Sequence, residues 1–345
     1  TSTKPFSPGG YASGVRVRIP EYGMANGKVR YVGEPVSAVA AVDLKTAEDG
    51  LRLVVTDYDI LEAVTSIDDA LREDAPVLYD ELGSNSVWSG KLEYGDIDRA
   101  FEEADQVVSG RVAIHRYSST PLEPFAILAS YDHGISRLTI WCNCQAPDVV
   151  IDALREALSI TDVRLIVPDI GGGFGPKLVV YPEDVVISVA SILLGRPVKW
   201  IEDRREHMMA ANQSREQHHH IRAAVDAEGR FLGIDATVWH DQGAYSRTHG
   251  GRVADMTVGL LLGPYRVPAY AARYGMHGIE AMLWNHVRNI HQHASLTLAP
   301  SSYTIDQLRR LGVAEGSTHQ QRQLFGVSPV TTFAVSQPLL DHQDH

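Results

Sequence analysis

The run Gly171-Gly172-Gly173-Phe174-Gly175-Pro176-Lys177 is the stretch of this sequence whose residue types most plainly ask for a ligand. Successive glycines forfeit more conformational entropy on folding than any other residues, so such a run belongs where backbone turns sharply or approaches something closely. Two readings follow. One is a tight turn between strands. The other is a loop whose N–H groups face an anionic or oxo-bearing ligand, with Phe174 presented as its single bulky side chain. The dinucleotide fingerprint G-x-G-x-x-G opening directly into a helix is not met, because Pro176 follows the glycines and the next helical signal waits until Pro182. A second candidate is Gln145, between the apolar strand Arg137–Trp141 and a helix opening at Pro147. Gln is a poor N-cap, so its presence at that junction leaves a functional and a structural reading open.

Other reactive types are less specific. Cys142 and Cys144 are too close for an easy disulfide and too few for an iron–sulfur cluster, which usually takes four thiolates. His218-His219-His220 cannot all face one ion on a strand, because successive side chains point to opposite faces. The segment Glu202-Asp203-Arg204-Arg205-Glu206-His207 reads as a solvated turn with internal ion pairs.

The elements that position these residues are short and mixed. Strands are expected at Val36–Val42, Val54–Ile60, Val107–Ile114, Arg137–Trp141, the buried run Val163–Val167 and Val198–Ile201. Helices are expected from Thr46 (as N-cap), Ser66, Asp96, Pro147 and Pro182, the last ending at Gly195. A hairpin places the three histidines on a strand that turns at Asp226–Gly229 and returns from Phe231 to Trp239. Later, Thr304–Leu311 reads as a short helix and Val330–Val335 as a strand. Irregular mixing favours an α+β fold over a doubly wound sheet. The chain has 345 residues, with 31 Lys and Arg against 43 Asp and Glu, a net charge of −12. That balance argues against nonspecific nucleic-acid binding. No apolar run approaches the roughly 18 residues of a membrane span, and the cysteine usage fits a reducing, cytoplasmic compartment.

Several motifs in order carry a family resemblance. Arg30-Tyr31-Val32-Gly33-Glu34-Pro35, Gly95-Asp96-Ile97-Asp98-Arg99-Ala100-Phe101, Pro121-Leu122-Glu123-Pro124, Gln145-Ala146-Pro147, the glycine run through Lys177, Gly195–Trp200, Asp203–Glu206 and Asp241-Gln242-Gly243-Ala244-Tyr245 follow one another. From about Val29 to Met276 they resemble the molybdenum-binding large subunit of the xanthine dehydrogenase, aldehyde oxidase and carbon monoxide dehydrogenase family.

The resemblance implies an α/β hammerhead domain over 1–112, incomplete at its start. It implies the first part of a molybdopterin-binding domain over 113–277; the tail over 278–345 falls outside the family pattern and is expected to be a frameshifted or truncated end or disordered, with a genuine short interaction tail as the alternative. It implies Gln145 and Phe174 as catalytic residues, and Gln145, Gly171, Gly172, Gly173, Phe174 and Gly175 as cofactor-binding, with no protein side chain ligating the metal. The implied cofactor is molybdenum–molybdopterin, in the cytosine dinucleotide form for a bacterial protein. The implied reaction is hydroxylation of an aldehyde, N-heterocycle or similar small carbon substrate with water as oxygen source. Electrons would pass to 2Fe–2S and FAD on an Fe–S small subunit and a FAD medium subunit, in a dimer of heterotrimers. Leu178 stands where purine-oxidising members carry Glu. The family's active-site Arg and terminal base Glu are not found, so the chain is expected to be inactive alone. Asp169 and Glu183 are the nearest acids that could substitute, Glu183 being favoured in its charged form by the helix dipole. A catalytically inert fragment is the alternative, and a nucleotide-binding enzyme is disfavoured by the glycine spacing.

Overall fold

The computed structural model describes residues 19–214, 216–247 and 250–277, together with strands at 297–299, 318–320 and 331–336. The described strands in chain order are β1 (Ser37–Ala41), β2 (Ser86–Tyr94), β3 (Gln106–Ile114), β4 (Ala126–Asp132), β5 (Arg137–Cys142), β6 (Val163–Ile166), β7 (Val198–Ile201), β8 (Gln217–Val225), β9 (Phe231–Asp241), β10 (Ala269–His277), β11 (Thr297–Ala299), β12 (Thr318–Gln320) and β13 (Thr331–Ser336). The α-helices are α1 (Leu44–Leu51), α2 (Ile67–Ala70), α3 (Ile97–Glu102), α4 (Pro147–Leu158), α5 (Pro182–Leu194), α6 (Arg204–Ala210) and α7 (Gly250–Leu260).

One sheet runs β1-β13-β7-β4-β5-β6, and a second runs β2-β10-β9-β8-β3; β11 and β12 form a separate pair. Mixed helix and strand without regular alternation is the α+β arrangement expected from the sequence. The boundary expected near residue 112 falls inside β3, and β2 and β3 flank β8–β10 in one sheet.

In the first sheet, β4 and β5 pair antiparallel while β5 and β6 pair parallel, with α4 as their crossover. Alternation along β4 and β5 buries Ile127, Ala129, Leu138, Ile140 and Cys142. They pack with Val150 and Leu154 of α4 and with Val185 and Ile187 of α5 in one core. Pro147 opens α4 at a position where its missing N–H costs nothing. Gly195 closes α5 in the left-handed region, φ 60°.

Strand order then gathers the sites. Trp141 pairs with Ile166 across parallel β5 and β6, so Gln145 and the glycine run both emerge from C-terminal strand ends. β4 begins at that same edge, since Ile127 faces Cys142, and β7 ends there, since Ala126 faces Ile201. The loop before β4, the β5–α4 junction, the glycine run and the start of α6 therefore share one edge. In α/β sheets such carboxyl ends are where ligands bind.

Four expectations need correction. Val54–Ile60 is not a strand: it runs as irregular chain with Val55 and Ile60 exposed, because none of the described strands offers its backbone a ladder. α1 starts earlier than expected, with Asp43 as the cap accepting from the Thr46 N–H. β6 is an edge strand of four residues and only partly buried. Residues 202–207 are not a solvated turn. Asp203 and Glu206 form a capping box on α6, and Glu202 and His207 are buried. The strand expected at Val330–Val335 is β13, between β1 and β7; the helix expected at Thr304–Leu311 lies outside the described residues. The histidine hairpin forms as β8–β9, with only His219 of the three buried.

Candidate functional site

The glycine run departs from ordinary backbone at three positions: Gly172 has φ 96°, Phe174 φ 52° and Gly175 φ 103°. A positive φ on a bulky residue is a strained state, held only where the surroundings over-determine it. Phe174 is 72% exposed, so the strain does not serve to bury its ring. Two side chains from the same sheet edge hold the loop instead. The Gly175 N–H donates to Gln145 Oε1 at 3.0 Å, and the Gly171 N–H donates to Glu123 Oε2 at 2.7 Å. Glu123 also donates its own N–H to the Gly171 carbonyl at 3.3 Å, and the Gln145 N–H donates to the Lys177 carbonyl at 2.7 Å. A Cβ at Gly173 would lie 2.5 Å from Gln145 Cδ, and one at Gly171 would lie 2.6 Å from Glu123 Cβ. Glycine is thus what lets these two side chains lie against the loop.

The structure brings together the residues expected to contact the cofactor: Gln145, Gly171, Gly172, Gly173, Phe174 and Gly175. Gln145 lies on the loop that carries Gly171 to Gly175 and Phe174. With its carbonyl oxygen engaged by Gly175, the Gln145 amide presents Nε2 as a donor. The N–H groups of Gly172, Gly173 and Phe174 donate to no protein acceptor among the described residues. The outcome is a set of donors without acceptors on an open surface. Consecutive backbone amides in such irregular conformations suit an acceptor-rich group such as a phosphate or oxo ligand. A pterin-held metal centre has that chemistry, so the donor set fits the cofactor implied by the resemblance.

Two residues that the sequence reading did not pair complete the site. Lys177 is 2% exposed and its ammonium meets Glu123 Oε2 at 2.7 Å. Partial burial pushes the Glu123 carboxyl upward, but Lys177, the Gly171 N–H and Asn143 outweigh it and hold the group below the ordinary carboxylate range. The Glu123 segment is itself fixed from α6: Arg204 Nη2 donates to the carbonyls of Pro121 (2.6 Å) and Leu122 (3.1 Å). Glu202 Oε2 accepts the Phe125 N–H at 3.0 Å and lies 2.9 Å from His207 Nδ1, while His207 Nε2 lies 3.1 Å from the Ser119 carbonyl. The only hint in the sequence was the order of the Glu-Pro and Asp-Arg-Arg-Glu motifs.

Of the acids that could act as a base, Asp169 is exposed next to the loop. Glu183 is 4% exposed and its carboxyl is pushed up to about 8, by burial first and then by Glu202 and Asp184, against Arg247 and the helix backbone. Burial therefore outweighs the influences at the start of α5 that favour the charged form. Glu183 belongs to a separate buried cluster around Arg247, which grips Glu21 in a two-pronged ion pair and donates to Tyr31 Oη at 3.0 Å. Beside it, Tyr245 Oη donates to Glu34 Oε1 at 2.6 Å. Cys142 and Cys144 are buried free thiols, Cys142 pushed upward by its hydrogen bond with Cys144 and by burial. A cavity of about 500 Å³ lies between Tyr22–Asn26, β1 and α5 and does not include the glycine loop.

Residues 78–280 match the molybdopterin cofactor-binding domain family. The chain belongs to that family. It is 41% identical over 252 residues to the 6-hydroxypseudooxynicotine dehydrogenase complex subunit gamma of Paenarthrobacter nicotinovorans, covering 72% of this chain and 31% of that one. It is 37% identical over 237 residues to the carbon monoxide dehydrogenase large chain of Hydrogenophaga pseudoflava, covering 64% and 30%. The structure of quinoline 2-oxidoreductase from Pseudomonas putida 86 superposes with a TM-score of 0.72 at 32% identity, over 77% of this chain and 34% of that one. The chain thus spans about a third of the length of the relatives it matches. No described helix is long and apolar enough to cross a membrane.

Proposed function

We propose that this chain is the cofactor-contacting part of a molybdenum hydroxylase large subunit, with Gln145, Gly171, Gly172, Gly173, Phe174 and Gly175 against the molybdenum–molybdopterin group. The observation that carries the reading is the donor set at one sheet edge: Gln145 Nε2 and the N–H groups of Gly172, Gly173 and Phe174, with no protein acceptor among the described residues. When bound, the group supplies hydroxylation of an electrophilic carbon with oxygen from water. The chain's own part is positional. Gln145, its oxygen held by the Gly175 N–H, directs an amide donor at an acceptor oxygen of the group. The glycines bring bare backbone to the pterin, and Phe174 sets an aromatic ring at the reacting edge.

For substrate we infer a nitrogen heterocycle or an aldehyde. 6-Hydroxypseudooxynicotine and quinoline, in the names of two similar proteins, both contain a six-membered nitrogen ring. Leu178, packed on the core, offers no carboxylate to a purine. Electrons would leave through an Fe–S small subunit and a FAD medium subunit, since the chain's two cysteines are both buried as thiols. We carry the cytosine dinucleotide form of the pterin, a cytoplasmic location, the hammerhead domain over 1–112, the tail over 278–345 and a dimer of heterotrimers as parts of the same proposal.

The second reading, a catalytically inert fragment, draws on the openness of the loop. Gly171, Phe174 and Gly175 are exposed, so this chain supplies one wall of a site rather than an enclosed one. Losing a positioned base typically costs about 10²–10⁴-fold in rate. Glu123 is held charged by Lys177 and Glu183 is buried elsewhere, which leaves Asp169, exposed beside the loop, as the acid of the three open to that role. Co-expression with Fe–S and FAD subunits in a host that makes the cofactor decides between the two. Molybdenum and pterin should co-purify with the assembly, and dye reduction should be fastest with N-heterocycles in a panel that includes aldehydes. Assembly without molybdenum would leave the inert fragment.

A further inference from the structure

The glycine loop is held at both ends by side chains, and the two holds are unlike. Gln145 takes the Gly175 N–H at the far end through a neutral amide oxygen. Glu123 takes the Gly171 N–H at the near end through a carboxylate oxygen that also receives the buried Lys177 ammonium. Lys177 is two residues beyond Gly175, so the Glu123 carboxylate joins the start of the loop to the chain just past its end. Behind it, Arg204 holds the carbonyls of Pro121 and Leu122, and the Glu202–His207 pair holds Phe125 N–H and Ser119 O. The segment carrying Glu123 is thereby fixed on both sides by groups from the end of β7 and from α6.

We propose that Glu123 is a positioning residue for the cofactor loop, with Lys177 as the charge that makes its grip on Gly171 strong. The inference rests on the reading of the loop as a cofactor loop, but its mechanical content does not need the cofactor. Hydrogen bonds to an ionised acceptor are about twice as strong as neutral ones. A carboxylate only partly buried keeps that advantage where a buried cation stands beside it. Lys177 makes no hydrogen bond to Gly171, so its ion pair with Glu123 is the direct route by which its charge reaches the Gly171 amide.

The test is hydrogen exchange at single amides of the full 345-residue chain, comparing wild type with Glu123→Gln, Lys177→Met and Lys177→Arg. Both E123Q and K177M should speed exchange at Gly171 about tenfold or more, the loss expected for a hydrogen bond to a charged group. K177R, which keeps the cation, should restore most of the protection. Amides of β5 such as Ile140 report whether the core is intact. If K177M also loses these, it is misfolded, and E123Q, at a partly exposed side chain, decides alone. Wild-type exchange at Gly171 in folded E123Q, or failure of folded K177R to recover protection, overturns the proposal. Molybdenum and pterin content, measured on the same variants co-expressed with partner subunits, tests the functional reading separately. A loop that loosens in E123Q while wild type carries no molybdenum supports the positioning role and sinks the cofactor reading.

Discussion

The glycine loop and the Arg247 cluster are both rich in polar groups, and they are built on opposite plans. Around Arg247 the polar groups are taken out of water and largely paired with one another: Glu21 with Arg247, Glu34 with Tyr245, Tyr31 with Arg247. At the loop, donors are left unpaired on residues that are half-buried (Gly172, Gly173) or exposed (Phe174), and the backbone is strained at Phe174. An exposed unpaired donor is satisfied by water and costs little stability, whereas a buried one carries a full desolvation penalty. The first region therefore sets how the chain folds, and the second is free to meet a ligand. Mutation should separate the two.

The largest effect is expected at Arg247. Replacing it by Met leaves Glu21, 1% exposed, as an uncompensated buried acid. We expect a loss of about 3–5 kcal/mol in urea unfolding, and much less in the double variant Glu21→Leu/Arg247→Met, which removes both charges. A single variant within 1 kcal/mol of wild type would show that the cluster is not the anchor described.

Next comes Glu183, pushed up to about 8, with Asp184 beside it pushed up to about 7, both mainly by burial. Each binds a proton more tightly folded than unfolded. Their contribution to stability is therefore complete below the unfolded carboxylate range near pH 4 and is lost as pH rises towards 8. Glu183→Gln should remove about 2–4 kcal/mol of that decline, so the variant gains on wild type between pH 5 and pH 8. An unchanged pH slope in urea melts would count against a neutral Glu183.

At the loop the expected changes in stability are smaller. Gly173→Ala pushes a methyl into Gln145; we expect a cost of about 1 kcal/mol but loss of most molybdenum from the assembled protein. Phe174→Gly is expected to leave stability unchanged or raise it by up to about 1 kcal/mol, since Gly accepts φ 52° without strain. A large destabilisation by Phe174→Gly would make the ring structural and erase the contrast between the two regions.

How far the sequence disclosed this arrangement follows the range of the forces involved. Locally encoded features were legible: the Pro182 start and Gly195 stop of α5, the β8–β9 hairpin, and the glycine run with its one exposed aromatic. Gln145 was legible as a misfit at a helix start. Val54–Ile60 misled because β-branched residues report a preference that a strand can satisfy only beside another strand. The Glu123–Lys177 pair and the burial of Glu202 and His207 were illegible for the converse reason. They depend on four chain segments meeting at one sheet edge, and no local pattern distinguishes a buried charged run from a solvated one.

The central claim is that unpartnered amides of the loop meet the cofactor, and single-amide hydrogen exchange on the assembled protein, with and without molybdenum cofactor, tests it most directly. The N–H groups of Gly172, Gly173 and Phe174 should exchange freely without cofactor and become protected with it, while Gly171 and Gly175, already bonded to Glu123 and Gln145, change little. Full molybdenum loading with Gly172, Gly173 and Phe174 still exchanging freely would contradict it.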